Sequence, residues 1–284
     1  MSIVVTGATG HLGRLTVEAL LARGVPAAEI VATGRAIEKI ADLAERGVVV
    51  RRADLDDPAS LREAFAGAEK LLLVSGSEPG RRIPQHANAI AAAEDAGVRL
   101  IAYTSIAHAD TSSLALAQDH RGTEELLAGS AVPYALLRNS WYLENYTRQL
   151  PVYLEHGITG AAGDGRISAA TRADYAEAAA AVLTGEDHEN AVLELGGPAF
   201  TMAELAAAVS AATGQQVTYT DLPVEQYRQV LAGAGLPEPV AAMLADNDRG
   251  VAAGELFVDS ADLEELLGRP ATPLADALAA ALRA

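Results

Sequence analysis

The sequence predicts an α/β fold, a doubly wound parallel sheet followed by a smaller and mostly helical C-terminal lobe. Two observations lead to this class. Short apolar segments alternate with amphipathic segments of helical length through the first half of the chain. The apolar segments are hydrophobic throughout rather than at every second residue, which is typical of parallel strands covered by helices on both faces.

The elements of the first half are bounded by ordinary start and stop signals. Gly24, Gly47, Gly97 and Gly129 follow predicted helices, as residues that end helices do. The predicted strands are Ile3–Val5, Ile30–Thr33, Val48–Arg52, Leu71–Val74, Val98–Tyr103 and Tyr134–Leu137. The predicted helices are Leu12–Arg23, Ala36–Glu45, Pro58–Phe65, Ile83–Asp95 and Leu116–Ala128.

The pattern changes after residue 150. Residues 150–170 are rich in Gly and Ala and are predicted to form a loop. A helix over Arg172–Leu183 and a strand over Val192–Leu195 are expected to return to the sheet. From Thr201 onward, short helices surround one predicted strand, Gln216–Tyr219. We therefore expect a sheet domain over 1–150, joined again by 168–196, and a substrate-side lobe over 197–284.

The most informative motif is a glycine-rich turn between the first strand and the first helix. Gly7, Gly10 and Gly13 are spaced three residues apart. In dinucleotide-binding sheets, such glycines allow the tight turn, the approach of a pyrophosphate to the backbone, and close packing of the helix. The helix N-terminus then offers free N–H groups to the phosphates. The motif predicts a dinucleotide site in a Rossmann domain; a glycine-rich turn used only for packing is the alternative.

Composition excludes several classes of function. The 284 residues include no Cys, which rules out disulfides, thiolate ligands and thiol catalysis. The formal net charge of −17 repels nucleic acid and anionic membranes, and no run of residues is apolar enough for membrane insertion. The first strand begins at Ile3, so we expect no signal peptide and a cytoplasmic protein. No metal site is predicted.

The end of the second strand selects between the two nicotinamide dinucleotides. NAD enzymes usually place Asp or Glu there to bind the ribose 2′-hydroxyl. This chain has Arg35 at that point and Lys39 four residues later, and a cation suits the 2′-phosphate of NADP instead. The prediction is therefore NADP(H), with a solvated surface pair as the alternative for both side chains.

Small and polar residues follow the third and fourth strands, where the rest of the cofactor would lie. Asp54 is placed to accept a hydrogen bond from the adenine amino group, and helix capping ahead of Pro58 is its alternative role. Ser75, Gly76 and Ser77 would leave space beside the ribose and phosphates, unless they form a simple turn.

The proton relay of the short-chain reductases cannot be built by this chain. That relay needs a Tyr-x-x-x-Lys pair, in which the Lys lowers the pKa of the Tyr. Lys occurs only at positions 39 and 70, before every Tyr of the sequence. Arg cannot replace the Lys, because a guanidinium stays protonated and makes different hydrogen bonds.

The remaining polar and aromatic residues near the expected nicotinamide are predicted to line the substrate pocket, and they are the candidates for catalytic residues. Tyr103 ends the fifth strand, and Asn139 and Trp141 follow the sixth. His120 is predicted near the start of a helix, where Glu124 and the next residue would raise its pKa modestly. It would donate a proton or orient a ring. The alternatives are an exposed helix histidine at 120 and core packing of the tryptophan.

Several segments together resemble one family. The glycine-rich turn, the missing Tyr–Lys pair and the run Leu136-Leu137-Arg138-Asn139-Ser140-Trp141-Tyr142 are similar to the NmrA-like branch of atypical short-chain dehydrogenases. Within that branch, the chain resembles the bacterial type 2 NADPH:quinone oxidoreductases. Further matching segments span nearly the whole chain, namely 84–86, 101–105, 108–112, 160–165, 170–175 and 243–246.

The resemblance implies hydride transfer from NADPH to a quinone, without flavin, in a protein that can form a homodimer. A quinone is electrophilic and yields a delocalised anion, so catalysis would rest largely on positioning. A regulator that senses NADP(H) without turnover is the alternative. The implied cofactor-binding residues are Thr6, Gly7, Ala8, Thr9, Gly10, His11, Leu12, Arg35, Ser75, Gly76, Ser77, Arg138, Asn139, Ser140, Trp141, Tyr142, Leu143 and Arg172.

Overall fold

A seven-stranded parallel sheet forms the centre of the molecule. The structure is a computed structural model and describes residues 2–76, 78 and 80–283. Within them, the strands are β1 (Ile3–Val5), β2 (Ile30–Gly34), β3 (Val49–Arg52), β4 (Lys70–Leu73), β5 (Leu100–Ile106), β6 (Tyr134–Asn139), β7 (Ile158–Gly160), β8 (Ala191–Leu195) and β9 (Tyr219–Asp221). The α-helices are α1 (His11–Ala22), α2 (Ala41–Glu45), α3 (Pro58–Phe65), α4 (Arg82–Asp95), α5 (Ala115–Ala128), α6 (Glu144–Thr147), α7 (Leu150–His156), α8 (Arg172–Thr184), α9 (Met202–Thr213), α10 (Val224–Gly233), α11 (Glu238–Ala252), α12 (Asp262–Leu267) and α13 (Leu274–Ala281). None of these helices is both long and apolar enough to cross a bilayer.

The strand order confirms the predicted doubly wound fold. The large sheet runs β3-β2-β1-β4-β5-β6-β8, and every neighbouring pair is parallel. The order reverses between β1 and β4, and open parallel sheets bind ligands at the carboxyl edge beside such a reversal. A second sheet pairs β7 with β9, also in parallel.

Helices cover both faces of the large sheet. In β1, Ile3 and Val5 belong to one hydrophobic core, whereas Val4 between them belongs to the core of the opposite face. α1 and α8 pack together over the first face, and α3, α4 and α5 supply the second core. Burial on both faces explains why the strands are apolar throughout.

The C-terminal part of the chain contacts both the sheet and a core of its own. Leu263 of α12 and Ala271 belong to the first core, beside α8. In β8, the backbone N–H of Glu194 donates to the carboxylate of Asp262 over 2.9 Å. Leu278 of α13 instead packs in a third core, together with residues of α9 and of the segment after β6. The segment around α12 therefore links the C-terminal helices to the sheet.

Several elements differ from the sequence prediction. β5 runs over Leu100–Ile106 and β6 extends to Asn139, so Tyr103 lies within β5 and not at its end, and Asn139 ends β6 and does not follow it. The segment 150–170, predicted as a loop, contains α7 and β7; Pro151 lies in the first turn of α7, and Gly157 after it has a φ of 76°. The strand predicted over Gln216–Tyr219 begins at Tyr219, because its pairing with Ile158 fixes the register. The helix predicted over Ala36–Glu45 begins as a 3₁₀ turn at Ile37–Ile40.

Candidate cofactor and substrate site

The glycine-rich turn has the backbone geometry that the sequence predicts. Gly7 has a φ of 61°, which favours glycine, and its carbonyl accepts the N–H of Gly10 over 2.9 Å. A Cβ atom on Gly13 would lie 2.5 Å from the carbonyl oxygen of Gly7, so only glycine allows α1 to pack this closely. No side chain caps the N-terminus of α1. Its free N–H groups therefore suit an anion such as a pyrophosphate.

The turn borders a cleft of about 270 Å³ at the carboxyl edge of β1, β2 and β4. Thr6 and Ala8 do not line the cleft; the Thr6 hydroxyl joins β1 to β4 through the Leu72 carbonyl, and Ala8 donates to the Thr33 carbonyl. Lys39 is exposed and does not line it either. The cleft is lined by Gly7, Thr9, Gly10, His11, Leu12, Gly13, Gly34, Arg35, Ala53, Asp54, Leu55, Val74, Ser75, Gly76, Glu78 and Gln85.

Arg35 and Asp54 both line the cleft, and the sequence predicts that they contact the adenosine part of the cofactor. The Arg35 guanidinium is exposed and forms an ion pair with Glu78 over 3.1 Å. Asp54 accepts the backbone N–H of Asp56 over 3.1 Å, in a local turn. The N-cap of α3 is Asp57, which accepts from residues 59 and 60, so the capping alternative for Asp54 is wrong. Both contacts to the cofactor stay predictions.

The loop after β4 is held in place by α4. His86 Nε2 accepts the N–H of Gly76 over 3.0 Å, and Arg82 Nε donates to the Gly76 carbonyl over 2.5 Å. Because Nε2 accepts, Nδ1 carries the proton and donates to Thr123 Oγ1 over 2.8 Å. Burial, and then the charge of Arg82, lower the pKa of His86 to about 4, so this arrangement is stable at neutral pH. Ser77 lies outside the described residues.

The role of His86 had no separate signal in the sequence. The residue lies in one of the family-like segments, Pro84-Gln85-His86, but nothing in that run indicates which backbone group the ring would contact. The contact joins residues ten apart in the chain and depends on how α4 packs against β4. It therefore becomes visible only in the folded chain.

His120 is buried and neutral, contrary to the expectation from its acidic neighbours. Its Nδ1 lies 2.8 Å from the hydroxyl of Tyr103, and the two side chains are 5% and 0% exposed. Burial, followed by the charge of Arg82, lowers the pKa of His120 to about 3, so the predicted modest rise is wrong. Burial also raises the pKa of Tyr103. The exposed-helix alternative for His120 is wrong as well.

The resemblance implies quinone reduction, and for that reaction we expect His120→Ala to lose less than the ~100-fold minimum of an obligatory general acid. The reason is that His120 is a neutral imidazole at neutral pH, and the N–H of a neutral imidazole is too weakly acidic to act as an obligatory proton donor. Steady-state kcat measured across the pH range checks this, and Tyr103→Phe is the matched control that removes the other half of the contact. A larger loss with intact NADPH binding would identify His120 as a proton donor.

Arg138 is the centre of a buried ion-pair network. Its side chain is 8% exposed, and its guanidinium binds Glu124 through two hydrogen bonds of 3.0 and 2.7 Å. Nη1 also lies 3.0 Å from both Asp110 and Glu194. Burial alone would lower the pKa of Arg138, but the bonds to Glu124 and Glu194 outweigh burial and raise it. The guanidinium is thus occupied by carboxylates of the protein, and the cofactor contact of Arg138 stays a prediction.

Two buried polar atoms, one on the last residue of β6 and one on the first residue of α8, have no hydrogen-bond partner among the described residues. They are Oδ1 of Asn139 and Nη1 of Arg172, although Nη1 lies 3.4 Å from a carboxylate oxygen of Glu144. The Arg172 guanidinium also stacks 4.4 Å from the ring centre of Tyr142. An unused acceptor and an unused donor of this kind suit an amide and an anionic group, both of which nicotinamide dinucleotides carry. The site residues therefore fit such a cofactor.

The rest of the predicted segment after β6 is bound into the protein. The Ser140 hydroxyl donates to the Leu256 carbonyl over 2.8 Å, and Leu143 is buried. Trp141 is half-buried against the third core, which supports the packing alternative for part of its ring. At the other side of the turn, His11 is exposed and lies 3.0 Å from Arg148 Nη2. The substrate roles of Asn139 and Trp141 stay predictions.

The fold and the cleft define a dinucleotide-binding protein of the doubly wound α/β class. More narrowly, the chain belongs to the NmrA-like family, whose model matches residues 1–265. It is 51% identical over 278 residues to Quinone oxidoreductase 2 of Escherichia coli strain K12, covering 97% of each chain.

Solved structures show the same similarity. The structure of the NADPH-dependent quinone oxidoreductase QOR2 of Escherichia coli complexed with NADPH has a TM-score of 0.96 at 50% identity, with 99% of each chain covered. The structure of the Citrobacter sp. triphenylmethane reductase complexed with NADP(H) has a TM-score of 0.93 at 40% identity, covering 99% of this chain and all of that one.

Proposed function

We propose that this protein is an NADPH-dependent oxidoreductase that reduces a quinone to its hydroquinone. The observation that carries the proposal is the cleft itself, which is formed by the glycine-rich turn and lined by Arg35. The similarity to an E. coli quinone oxidoreductase over nearly the whole chain supports both the cofactor and the acceptor. Sensing without turnover is less well supported, because these relatives are named as oxidoreductases.

Different residues of the chain would bind different parts of NADPH. The N-terminus of α1 would hold the pyrophosphate, and Arg35 would hold the 2′-phosphate after exchanging its contact with Glu78. Asn139 would orient an amide through its unused oxygen. NADPH, when bound, would supply the hydride. Hydride transfer to a quinone leaves a hydroquinone anion that needs one proton. Because Tyr103 and His120 stay neutral, water is the expected source of that proton.

The test is oxidation of NADPH with a panel of benzoquinones, with NADH measured in parallel. We expect turnover with NADPH, stoichiometric formation of hydroquinone, and a weaker response to NADH. Tight binding of NADPH without turnover on any quinone of the panel would contradict the enzyme and support the sensor.

We expect the variant Arg35→Asp to lose or reverse the preference for NADPH. One charge-assisted hydrogen bond to the 2′-phosphate contributes ~1.5–3 kcal/mol, which corresponds to a factor of ten to a hundred in affinity. Calorimetric Kd values for both cofactors measure the effect, and Arg62→Asp is the control because this exposed arginine does not line the cleft. Equal affinities for the two cofactors in the unaltered protein would refute the assignment of Arg35.

We also propose a cytoplasmic location and a homodimer. The location is supported by the absence of Cys and by the need of a reductase for a supply of NADPH. Equilibrium sedimentation of the purified chain tests the dimer.

A further inference from the structure

Two side chains of α4 bind both backbone groups of a single residue of the cofactor cleft. His86 Nε2 accepts the N–H of Gly76 over 3.0 Å, and Arg82 Nε donates to the carbonyl of the same glycine over 2.5 Å. Arg82 and His86 are four residues apart, so they lie on one face of the helix. We name this pair the Gly76 clamp. It fixes the orientation of the peptide units on both sides of Gly76.

The Gly76 clamp lies behind the cleft and not in it. Gly76 lines the cleft, whereas Arg82 and His86 do not. His86 is fully buried, and Arg82 is only 8% exposed. A Cβ atom on Gly76 would lie 3.2 Å from Gln85 Oε1 and 3.7 Å from His86 Nε2, so α4 packs directly against this glycine. Any effect of the clamp on a bound cofactor therefore passes through Gly76.

Both members of the clamp are themselves held by neighbouring elements. His86 Nδ1 donates to Thr123 Oγ1 over 2.8 Å, and the Thr123 hydroxyl donates to the Asp119 carbonyl over 3.0 Å. Arg82 Nη1 lies 3.4 Å from a carboxylate oxygen of Asp119. The ring of His86 packs edge-on against that of Tyr103, with the ring centres 5.4 Å apart. Because both ring nitrogens are bound, the imidazole cannot turn without losing hydrogen bonds.

The clamp also fixes the direction of a free acceptor in the cleft. In a planar trans peptide the N–H and the C=O point in opposite directions, so the bond between Gly76 and His86 also orients the Ser75 carbonyl. Ser75 lines the cleft, and none of the described residues donates a hydrogen bond to its carbonyl oxygen. Such an acceptor suits a hydroxyl group, and the ribose units of a dinucleotide carry several.

We propose that Arg82 and His86 are positioning residues for the dinucleotide, whose affinity they set through Gly76 without contacting it. The proposal rests on the proposed use of the cleft for NADPH, and it adds a role for two buried side chains of α4. The clamp acts on the ribose and phosphate region that NADPH and NADH share, whereas Arg35 would act on the 2′-phosphate of NADPH alone. Loss of the clamp should therefore weaken both cofactors equally and leave the preference between them unchanged.

Calorimetric titration of the full chain with NADPH and with NADH tests the proposal. His86→Leu removes the acceptor for Gly76 and should weaken the binding of each cofactor about tenfold, the factor that corresponds to one lost hydrogen bond. Arg82→Met should act in the same direction. His86→Gln should recover most of the affinity, because its amide oxygen can accept the N–H of Gly76 and its amide nitrogen can donate to Thr123.

A control and a kinetic measurement separate positioning from a general loss of structure. Ser210 Oγ accepts the backbone N–H of Val217 over 2.8 Å and lies outside the cleft. Ser210→Ala removes an acceptor of the same kind, and it should leave both Kd values unchanged even where thermal unfolding shows lower stability. In the quinone assay, His86→Leu should raise KM for NADPH with kcat little changed, since the clamp affects binding before and during reaction alike.

The outcomes distinguish failure of the clamp from failure of the proposed function. Unchanged affinity in folded His86→Leu, equal losses in His86→Leu and His86→Gln, or a loss confined to NADPH would overturn the role of the clamp alone. A fall in kcat at an unchanged KM for NADPH would contradict it as well. If the unaltered protein did not bind NADPH, both the clamp and the proposed function would be wrong.

Discussion

The variant Gly10→Val is expected to lose at least about a hundredfold in affinity for NADPH while remaining folded. Gly10 is exposed, lines the cleft, and has a φ of −98° that any residue can adopt. A Cβ there meets only the Gly7 carbonyl oxygen, at 3.3 Å, so the fold accommodates it with a small shift. The branched side chain would nevertheless stand between the phosphates and the N–H groups of α1, where close approach is required.

Two other glycines serve as controls for this prediction. Gly13→Ala should destabilise the fold itself, because its Cβ would overlap backbone atoms of Gly7. Gly233→Val lies in a helix of the C-terminal half with no atom within 4 Å of the new Cβ, and it should bind NADPH normally. Calorimetry and thermal unfolding on the three variants distinguish the cases. Unchanged NADPH affinity in a folded Gly10→Val protein would remove the turn as the binding site.

The fold could be predicted largely because its signals are local. Ile3–Val5 and Pro58–Phe65 have the same bounds in sequence and structure, since an apolar run or a proline after an N-cap residue is enough to define them. β7 was not predicted, and β9 was predicted only with other bounds, over Gln216–Tyr219. Their existence depends on the pairing of Ile158 with Tyr219, and a contact between positions so distant leaves no periodic pattern in either segment.

The sequence predicts the role of a site residue well where that role depends on backbone geometry. It predicts much less where the role depends on how deeply the side chain is buried. The role of the glycine turn follows from spacing, and the structure has the expected geometry there. For His120, the sequence shows acidic neighbours one turn away but not the apolar surroundings that lower its pKa. Glu124 instead binds Arg138 and Ser105, which belong to other elements.

The variant Arg138→Met should lower the free energy of unfolding by ~3–5 kcal/mol, the cost of leaving a buried charge unpaired. The carboxylate of Glu124, 9% exposed, would keep only its bond from Ser105, and Glu194 would keep only the bonds from the backbone N–H of His108 and a 3.8 Å contact with the His108 ring. Urea unfolding followed by circular dichroism measures the change. Arg99→Met is the matched control, because its ion pair is mostly exposed and should contribute at most about 1 kcal/mol.

A double variant shows whether the stability lost in Arg138→Met comes from the unpaired charge or from lost packing. Arg138→Met combined with Glu124→Leu removes both members of the buried pair, and an apolar replacement of similar size should recover much of the lost stability. The network also fixes the end of β6, since Asn139 follows Arg138 directly and pairs with Leu195 of β8. Arg138→Met should therefore weaken NADPH binding even at temperatures where it is folded. If Arg138→Met costs no more than Arg99→Met, the network does not hold this edge of the sheet, and Asn139 must be positioned by the β6–β8 pairing alone.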